Sequence, residues 1–218
     1  MGDHRVRIVN EVYPSYLLSI LRDRNTPINI FRETMREAGR VLAINIMNDQ
    51  DYTIGRVETP LGVAEYKKPR HYEDVVIVGI LRAALPLVEG MIEVYRKARV
   101  GFVGAKRVED SNREGKEFDV VMNYYNIPPI NKGSLVIIAD PMLATASTMI
   151  RVLNLLKPKL DDDTEVVVTS VIAAEYGIEK LLTTHPYIKL YTIAVDHILN
   201  DKGYIVPGLG DAGDRSFG

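Results

Sequence analysis

Between residues 74 and 195 the sequence alternates short apolar runs with stretches of helical spacing, and this alternation limits the fold more than any other feature. Residues 75–79 and 135–139 read as buried strands. Residues 100–106, 166–172 and 190–195 read as further strands, and 118–125 is expected to pair with 100–106 across a polar loop. Helices are expected over 84–95, from about 145 to 156, and around 177–183. Strands that alternate with helices in this way build a mostly parallel sheet covered on both faces, because each crossover helix packs back onto the sheet. The expected class is therefore α/β, with helices on both sides of a mostly parallel sheet.

The flanks differ from this centre. Pro14 suits the first turn of a helix carrying Leu17, Leu18 and Leu21. A second helix follows, with Phe31, Met35, Ala38, Val41, Leu42 and Ile46 at helical spacing and Arg32, Arg36 and Arg40 on its other face. A β-hairpin is expected next, 52–59 and 63–66 around Pro60-Leu61-Gly62. The tail from Asp196 is rich in Gly, Asp and Pro and reads as an ordered loop. One domain of 218 residues accommodates all of this: helices and hairpin over 1–70, the α/β centre over 71–195, the tail over 196–218.

Composition excludes several classes. The chain has no cysteine, so disulfides, thiolate metal sites and cysteine nucleophiles are ruled out together. The net charge of −2 disfavours general polyanion binding, nucleic acid included. No apolar stretch approaches the ~20 residues of a spanning helix, and residues 1–12 hold no apolar signal-peptide segment. A cytoplasmic protein without a membrane partner is expected. His4, His71, His185 and His197 show no metal-ligand spacing, so no metal ligands are assigned.

The chemistry concentrates where the strand 135–139 hands over to a helix, through Asp140-Pro141-Met142-Leu143-Ala144-Thr145-Ala146-Ser147-Thr148. Small residues let backbone N–H groups approach an anion, and a helix start adds unpaired donors and partial positive charge. Thr145, Ser147 and Thr148 can donate further bonds, and Asp140 can accept from sugar hydroxyls. The same residues also suit an ordinary helix start capped by Thr145 or Ser147; on chemistry alone both readings stand. Neither a Walker loop nor a dinucleotide fingerprint is present.

Ligands of open parallel sheets bind beyond the carboxyl ends of the strands. Arg82 follows the strand 75–79, and Lys106-Arg107 follows the strand 100–106, so both arginines are expected at the rim that carries 140–148. The planar arginine fork suits a diphosphate. The polar segment 107–117 is a candidate arm for closing over a charged substrate.

With the tail, the sequence resembles the uracil phosphoribosyltransferases. Asp140 to Thr148 is similar to that family's loop for 5-phosphoribosyl 1-diphosphate (PRPP). Gly203-Tyr-Ile-Val-Pro-Gly-Leu-Gly-Asp-Ala-Gly-Asp-Arg215 is similar to its uracil segment, Ile80-Leu-Arg-Ala83 to its pyrophosphate loop, and Gly104-Ala-Lys-Arg107 to its hairpin arginine. The resemblance implies the type I phosphoribosyltransferase fold and the conversion of uracil and PRPP to UMP and diphosphate in pyrimidine salvage, with Mg2+ carried in by PRPP. It implies that 140–148 hold the ribose and its 5-phosphate and that Arg82 and Arg107 contact the diphosphate. Ile205, Gly210 and Ala212 would meet the base, and Asp211 would lie between base and PRPP. Arg107 and Asp211 are the catalytic candidates.

Two positions depart from relatives. Pro141 stands where many of the wider class have a second acidic residue, and Ala146 where some uracil enzymes have glycine. The resemblance further implies a homo-oligomer, dimer or tetramer, and a GTP or CTP effector, for which Arg32, Arg36 and Arg40 are the candidate contacts. A competing reading from another class is a pyrimidine-responsive RNA-binding regulator on the same fold, which the near-neutral charge disfavours.

Overall fold

The computed structural model describes residues 3–113 and 117–218, with side chains described at all of these except 107, 109–113 and 117. A short strand β1 (Val6–Ile8) precedes helices α1 (Val12–Arg22) and α2 (Ile28–Asn48) and the hairpin β2 (Tyr52–Thr59) and β3 (Gly62–Pro69). The centre runs β4 (Val75–Leu81), α3 (Leu85–Val94), β5 (Arg99–Arg113), β6 (Glu117–Asn126), β7 (Leu135–Ala139), β8 (Met142–Leu143), α4 (Ser147–Leu156), β9 (Glu165–Ala174), α5 (Glu175–Thr184) and β10 (Lys189–Asp196). The tail holds β11 (Ile198–Leu199), β12 (Ile205–Val206) and α6 (Ala212–Phe217).

The main sheet is ordered β1-β10-β9-β7-β4-β5-β6, with β8 also pairing β9. All of its pairs are parallel except β5–β6. Side chains alternate across the sheet, so β4 feeds two cores. Val75 and Ile77 join Phe31, Met35, Leu87 and Met91 on the α2–α3 side. Val76, Val78 and Ile80 join Met149, Val152, Leu153 and Leu181 on the α4–α5 side. β4 leads through α3 to β5 on one flank, while β7 leads through α4 to β9 on the other. The strand order reverses between β4 and β7, which opens a crevice at their carboxyl ends.

Helices α2 and α3 cross backbone to backbone. A Cβ at Gly39 would lie 2.0 Å from the Leu87 carbonyl oxygen, and one at Gly90 would lie 1.8 Å from that of Arg36. Among the described residues, no helix is long and apolar enough to cross a membrane.

Two expectations are corrected, and one strand is added. Residues 107–113 and 117 are not loop but continue the β5–β6 ladder, with Arg107 opposite Val120 and Arg113 opposite Glu117. Antiparallel strands accommodate polar residues on a face turned to water, so polar composition alone does not mark a loop. The tail is not loop throughout: β11 pairs β12, and α6 follows. Elements this short lack a window in which period can be read. β1, a three-residue strand beside β10, escaped notice for the same reason.

The tail is held down by two arginines. Arg22 of α1 binds Asp196 and the Gly208 carbonyl oxygen. Arg215 of α6 donates to the carbonyls of Leu21, Asp23 and Leu209, and its guanidinium stacks 4.3 Å from the Phe31 ring centroid. Burial pulls the Arg215 guanidinium pKa below its usual value.

Candidate active site

A cleft of about 800 Å³ lies at the switch between β4 and β7. That is ample for a small-molecule substrate. Of the residues singled out from sequence, Arg82, Asp140, Met142, Leu143, Ala144, Thr145, Ala146, Ser147, Thr148 and Asp211 line it. The strand ends, the phosphate-type turn and the tail therefore meet in one place.

The turn is built by β9. Asp140 N donates to the Thr169 carbonyl oxygen (3.1 Å), the Pro141 carbonyl oxygen accepts from Val171 N and Ile172 N, and β8 pairs Leu143 with Ala173. Asp140 Oδ1 lies 3.4 Å from Met142 N, and the Thr145 and Ser147 hydroxyl oxygens are 3.2 Å apart. Ala146 then adopts φ 60°, ψ 0°, a left-handed conformation unusual for a residue with a Cβ. α4 starts at Ser147, and no side chain caps it. The cap that the second sequence reading expected from Thr145 or Ser147 is therefore not made. The start of α4, Ser147 to Met149, lines the cleft, and an uncapped helix start of this kind is suited to an anion.

Arg82 is exposed at the cleft rim, next to the cis Leu81–Arg82 peptide. Its Nη2 donates to Asp214 Oδ1 (2.8 Å) and to the Gly218 carbonyl oxygen (3.3 Å), so the loop after β4 is tied to α6. Asp211 caps α6, with Oδ1 accepting from Asp214 N at 2.9 Å. The Arg107 side chain lies outside the described residues.

Other predicted residues sit apart. Pro141 is buried and does not line the cleft. Ile205 (7% exposed) and Ala212 (0%) are packed into the core on the α2–α3 side. Gly210 is exposed, with φ +79°, and is also not part of the lining. On α2, Arg36 and Arg40 reach Glu93 of α3, Arg40 also reaches Glu37, and Arg32 is exposed.

Lys106, Tyr204 and Asp214, which lie inside the quoted motifs but received no individual role from sequence, also line the cleft, as does Lys202, which sequence reasoning missed. Lys106 had a faint signal as the neighbour of Arg107. Lys202 and Tyr204 sit on a turn fixed by Asn200, whose Oδ1 accepts from both backbone N–H groups at 3.0 Å; their residue types alone do not mark them as site residues. Arg82, Lys106 and Lys202 together give the mouth of the cleft cations to meet a polyanion, while Asp140, Asp211 and Asp214 supply acceptors.

The family profile of uracil phosphoribosyltransferase matches residues 9–218. A uracil phosphoribosyltransferase of Sulfurisphaera tokodaii is 45% identical over 206 residues, covering 93% of this chain and 94% of its own. One of Pyrobaculum arsenaticum is 44% identical over 212 residues, covering 97% and 98%. Among solved structures, the AQ2163 protein of Aquifex aeolicus is similar with a TM-score of 0.85 and 31% identity, covering 97% of each chain.

Proposed function

The chain belongs to the uracil phosphoribosyltransferase family, and from that premise we propose that it transfers the 5-phosphoribosyl group of PRPP to N1 of uracil, yielding UMP and diphosphate. One observation carries this reading at the level of residues: the uncapped start of α4, Arg82 of the β4 loop and Asp211 of the tail share one cleft.

Each part then has a task. The backbone N–H groups and hydroxyls of 145–148 take the ribose 5-phosphate, and Asp140 accepts from the ribose hydroxyls. In the reaction the bond from ribose C1 to the diphosphate oxygen breaks, the diphosphate leaves with the electron pair, and uracil N1 bonds to C1 as its proton departs. Positive charge builds on the ribose and negative charge on the leaving group. Donors already in place for the leaving group lower the barrier because they need no reorganisation. Arg82, Lys106 and Arg107 are assigned this role, and Asp211 orients the reacting groups between base and PRPP.

Ile205, Gly210 and Ala212 do not line the cleft themselves, and we assign them to the base only through the backbone of the segment whose Tyr204, Asp211 and Gly213 do line it. Uracil offers acceptor, donor, acceptor along one edge. Cytosine has an amino group in place of O4, so an N–H aimed there would be left unpaired, at a cost of about 1–3 kcal/mol.

Mg2+ fits this cleft as an ion brought by the substrate, since such ions take one or two carboxylates together with phosphate oxygens and water. Asp140 and Asp211, which both line the cleft, would be the carboxylates that meet it. A bound ion would supply neutralisation of charge on the diphosphate.

Assembly into a dimer or tetramer finds support in the hairpin β2–β3, where Ile54, Leu61 and Val63 are exposed. Light scattering reads the oligomer directly.

The test is a base-specificity assay with PRPP and Mg2+. UMP is expected from uracil, and no product from cytosine, orotate or hypoxanthine. Product from another base but not from uracil would overturn the base assignment. Repeating the assay with GTP and CTP reads any effector. Arg107→Ala should lower turnover more than it weakens uracil binding, and unchanged turnover removes Arg107 from the leaving-group role.

A further inference from the structure

The turn that lines the cleft at 142–148 rests against a helix that contributes nothing to the lining. That helix is α5. Where it meets the turn its residue is Gly177. A Cβ there would lie 2.2 Å from the Ala144 carbonyl oxygen and 3.0 Å from the Leu143 carbonyl oxygen. These are backbone atoms, so no side-chain rotation can relieve the overlap. Leu143, Ala144 and Thr145 are 1%, 8% and 3% exposed, so the backbone concerned is itself packed.

The turn is also fixed at both ends. Upstream, β8 and the Pro141 carbonyl hold it to β9. Downstream, Ala146 at φ 60° leads directly into α4. A side chain at position 177 would push on the middle of a segment pinned at either side. Since 142–148 line the cleft and α5 does not, the yielding direction is into the cleft, toward the place assigned to the phosphate.

We infer that Gly177 is a positioning residue for the phosphate of PRPP. The missing side chain sets the depth at which the Ala144–Ala146 backbone lies, and hence where the N–H groups at the start of α4 point. This inference rests on reading the cleft as the PRPP site. Donors preorganised for a phosphate lose much of their effect when displaced by as little as about 1 Å.

Gly177→Ala tests it. The KM for PRPP should rise by about tenfold or more, while the KM for uracil stays within about threefold. Ile178→Val, a truncation at the next, buried position of α5, serves as the control for mere loss of stability and should leave both KM values near those of the parent. A Gly177→Ala enzyme with unaltered KM for PRPP overturns the inference, and so does an equal rise in the control. A second measurement needs no variant. PRPP with Mg2+ added to the wild-type protein should slow amide hydrogen exchange in the first turn of α5, because the turn behind the ligand tightens against it. Unchanged exchange there overturns the inference, even if Gly177→Ala cannot be recovered folded. Absence of UMP formation by the wild-type enzyme would instead overturn the proposed function, since the exchange measurement reads the turn without turnover.

Discussion

Arg22 at the end of α1 and Asp196 at the end of β10 meet through two parallel hydrogen bonds, Nη1 to Oδ2 at 2.9 Å and Nη2 to Oδ1 at 2.7 Å. The two residues are 174 positions apart in sequence. Gly208 completes the arrangement: its N–H donates to the same Oδ2 (3.0 Å), and its carbonyl oxygen accepts from the same Nη1 (2.9 Å). This ion pair is one of the anchors of the segment that carries Asp211, beside those made by Arg215 and Arg82. The Asp196 carboxylate is 8% exposed. Burial pushes its pKa up, but the Arg22 guanidinium and the Gly208 N–H outweigh it and hold the carboxyl below its ordinary value.

Asp196→Asn keeps the shape and removes the charge, leaving Arg22 without its partner. The expected loss of stability is about 3 kcal/mol, or roughly 6–12 °C in Tm for a chain of this size. The sign with pH follows from the lowered pKa. The carboxylate's contribution is complete above the unfolded value near 4 and fades as pH falls through the lower folded value. The Tm gap between parent and variant should therefore be widest at neutral pH and narrow below about pH 4. A gap that is the same at pH 7 and pH 3 would show that the charge is not what matters.

Asp211→Asn separates chemistry from folding. Asparagine caps helices as well as aspartate does, so the bond from Asp214 N to the side-chain oxygen at 211 survives, and Tm should move by little. Turnover should fall by at least about tenfold, because the negative charge that the proposed function assigns to a place between base and PRPP is gone. Asp211→Ala loses the cap too and should add about 1 kcal/mol of destabilisation. Full activity in Asp211→Asn would leave the residue only its capping role.

Ala146 holds φ 60° with a Cβ in place. Left-handed backbone costs a non-glycine residue about 1–2 kcal/mol. Ala146→Gly removes that cost but adds about 0.5–1 kcal/mol of unfolded-chain entropy and loses a buried methyl worth about 0.8 kcal/mol. These contributions nearly cancel, so the variant should lie within about 1 kcal/mol of the parent. Ala146→Val has no such compensation, since β-branched residues tolerate positive φ worst. It should lose more than about 2 kcal/mol and bind PRPP more weakly. Paired thermal melts and PRPP titrations check both.

The sequence makes the sheet readable because its central strands are buried on both faces. Runs such as Leu135–Ala139 carry no polar residue, so their place in the core can be read from the apolar run itself. The turn 140–148 was readable because small and hydroxyl residues cluster at a strand end. What stayed hidden depends on pairing across distance. Arg22 is one arginine at a helix end, and its significance comes from Asp196 and Gly208 far along the chain. Gly177 is a glycine in a helical pattern, and only the Ala144 carbonyl beside it explains why no side chain fits. Lys202 and Tyr204 reach the cleft through a turn built by Asn200, a relation that residue types alone do not announce.

Gly90→Ala sets two principles against each other. Within a helix alanine is preferred over glycine by about 1 kcal/mol, so local propensity predicts stabilisation of α3. The added Cβ would meet the Arg36 carbonyl oxygen at 1.8 Å and Arg40 N at 2.8 Å. Forcing two packed helices apart costs about 3 kcal/mol, which exceeds the propensity gain. The variant should unfold at a lower denaturant midpoint than the parent. A higher midpoint would mean that α2 and α3 do not touch at this position.

Arg82→Ala should do the opposite to stability and function. Its pair with Asp214 is exposed on both sides, 54% and 69%, so losing it should change stability by no more than about 0.5–1 kcal/mol. The same guanidinium is assigned to the diphosphate. Its removal should lower kcat/KM for PRPP by about 10–100-fold, with a much smaller effect on uracil binding. Arg82→Lys should recover only part of the loss, because a point charge cannot reproduce the two parallel bonds of the fork. If both variants turn over at the parent rate, Arg82 serves to tie the β4 loop to α6 and takes no part in holding the leaving group.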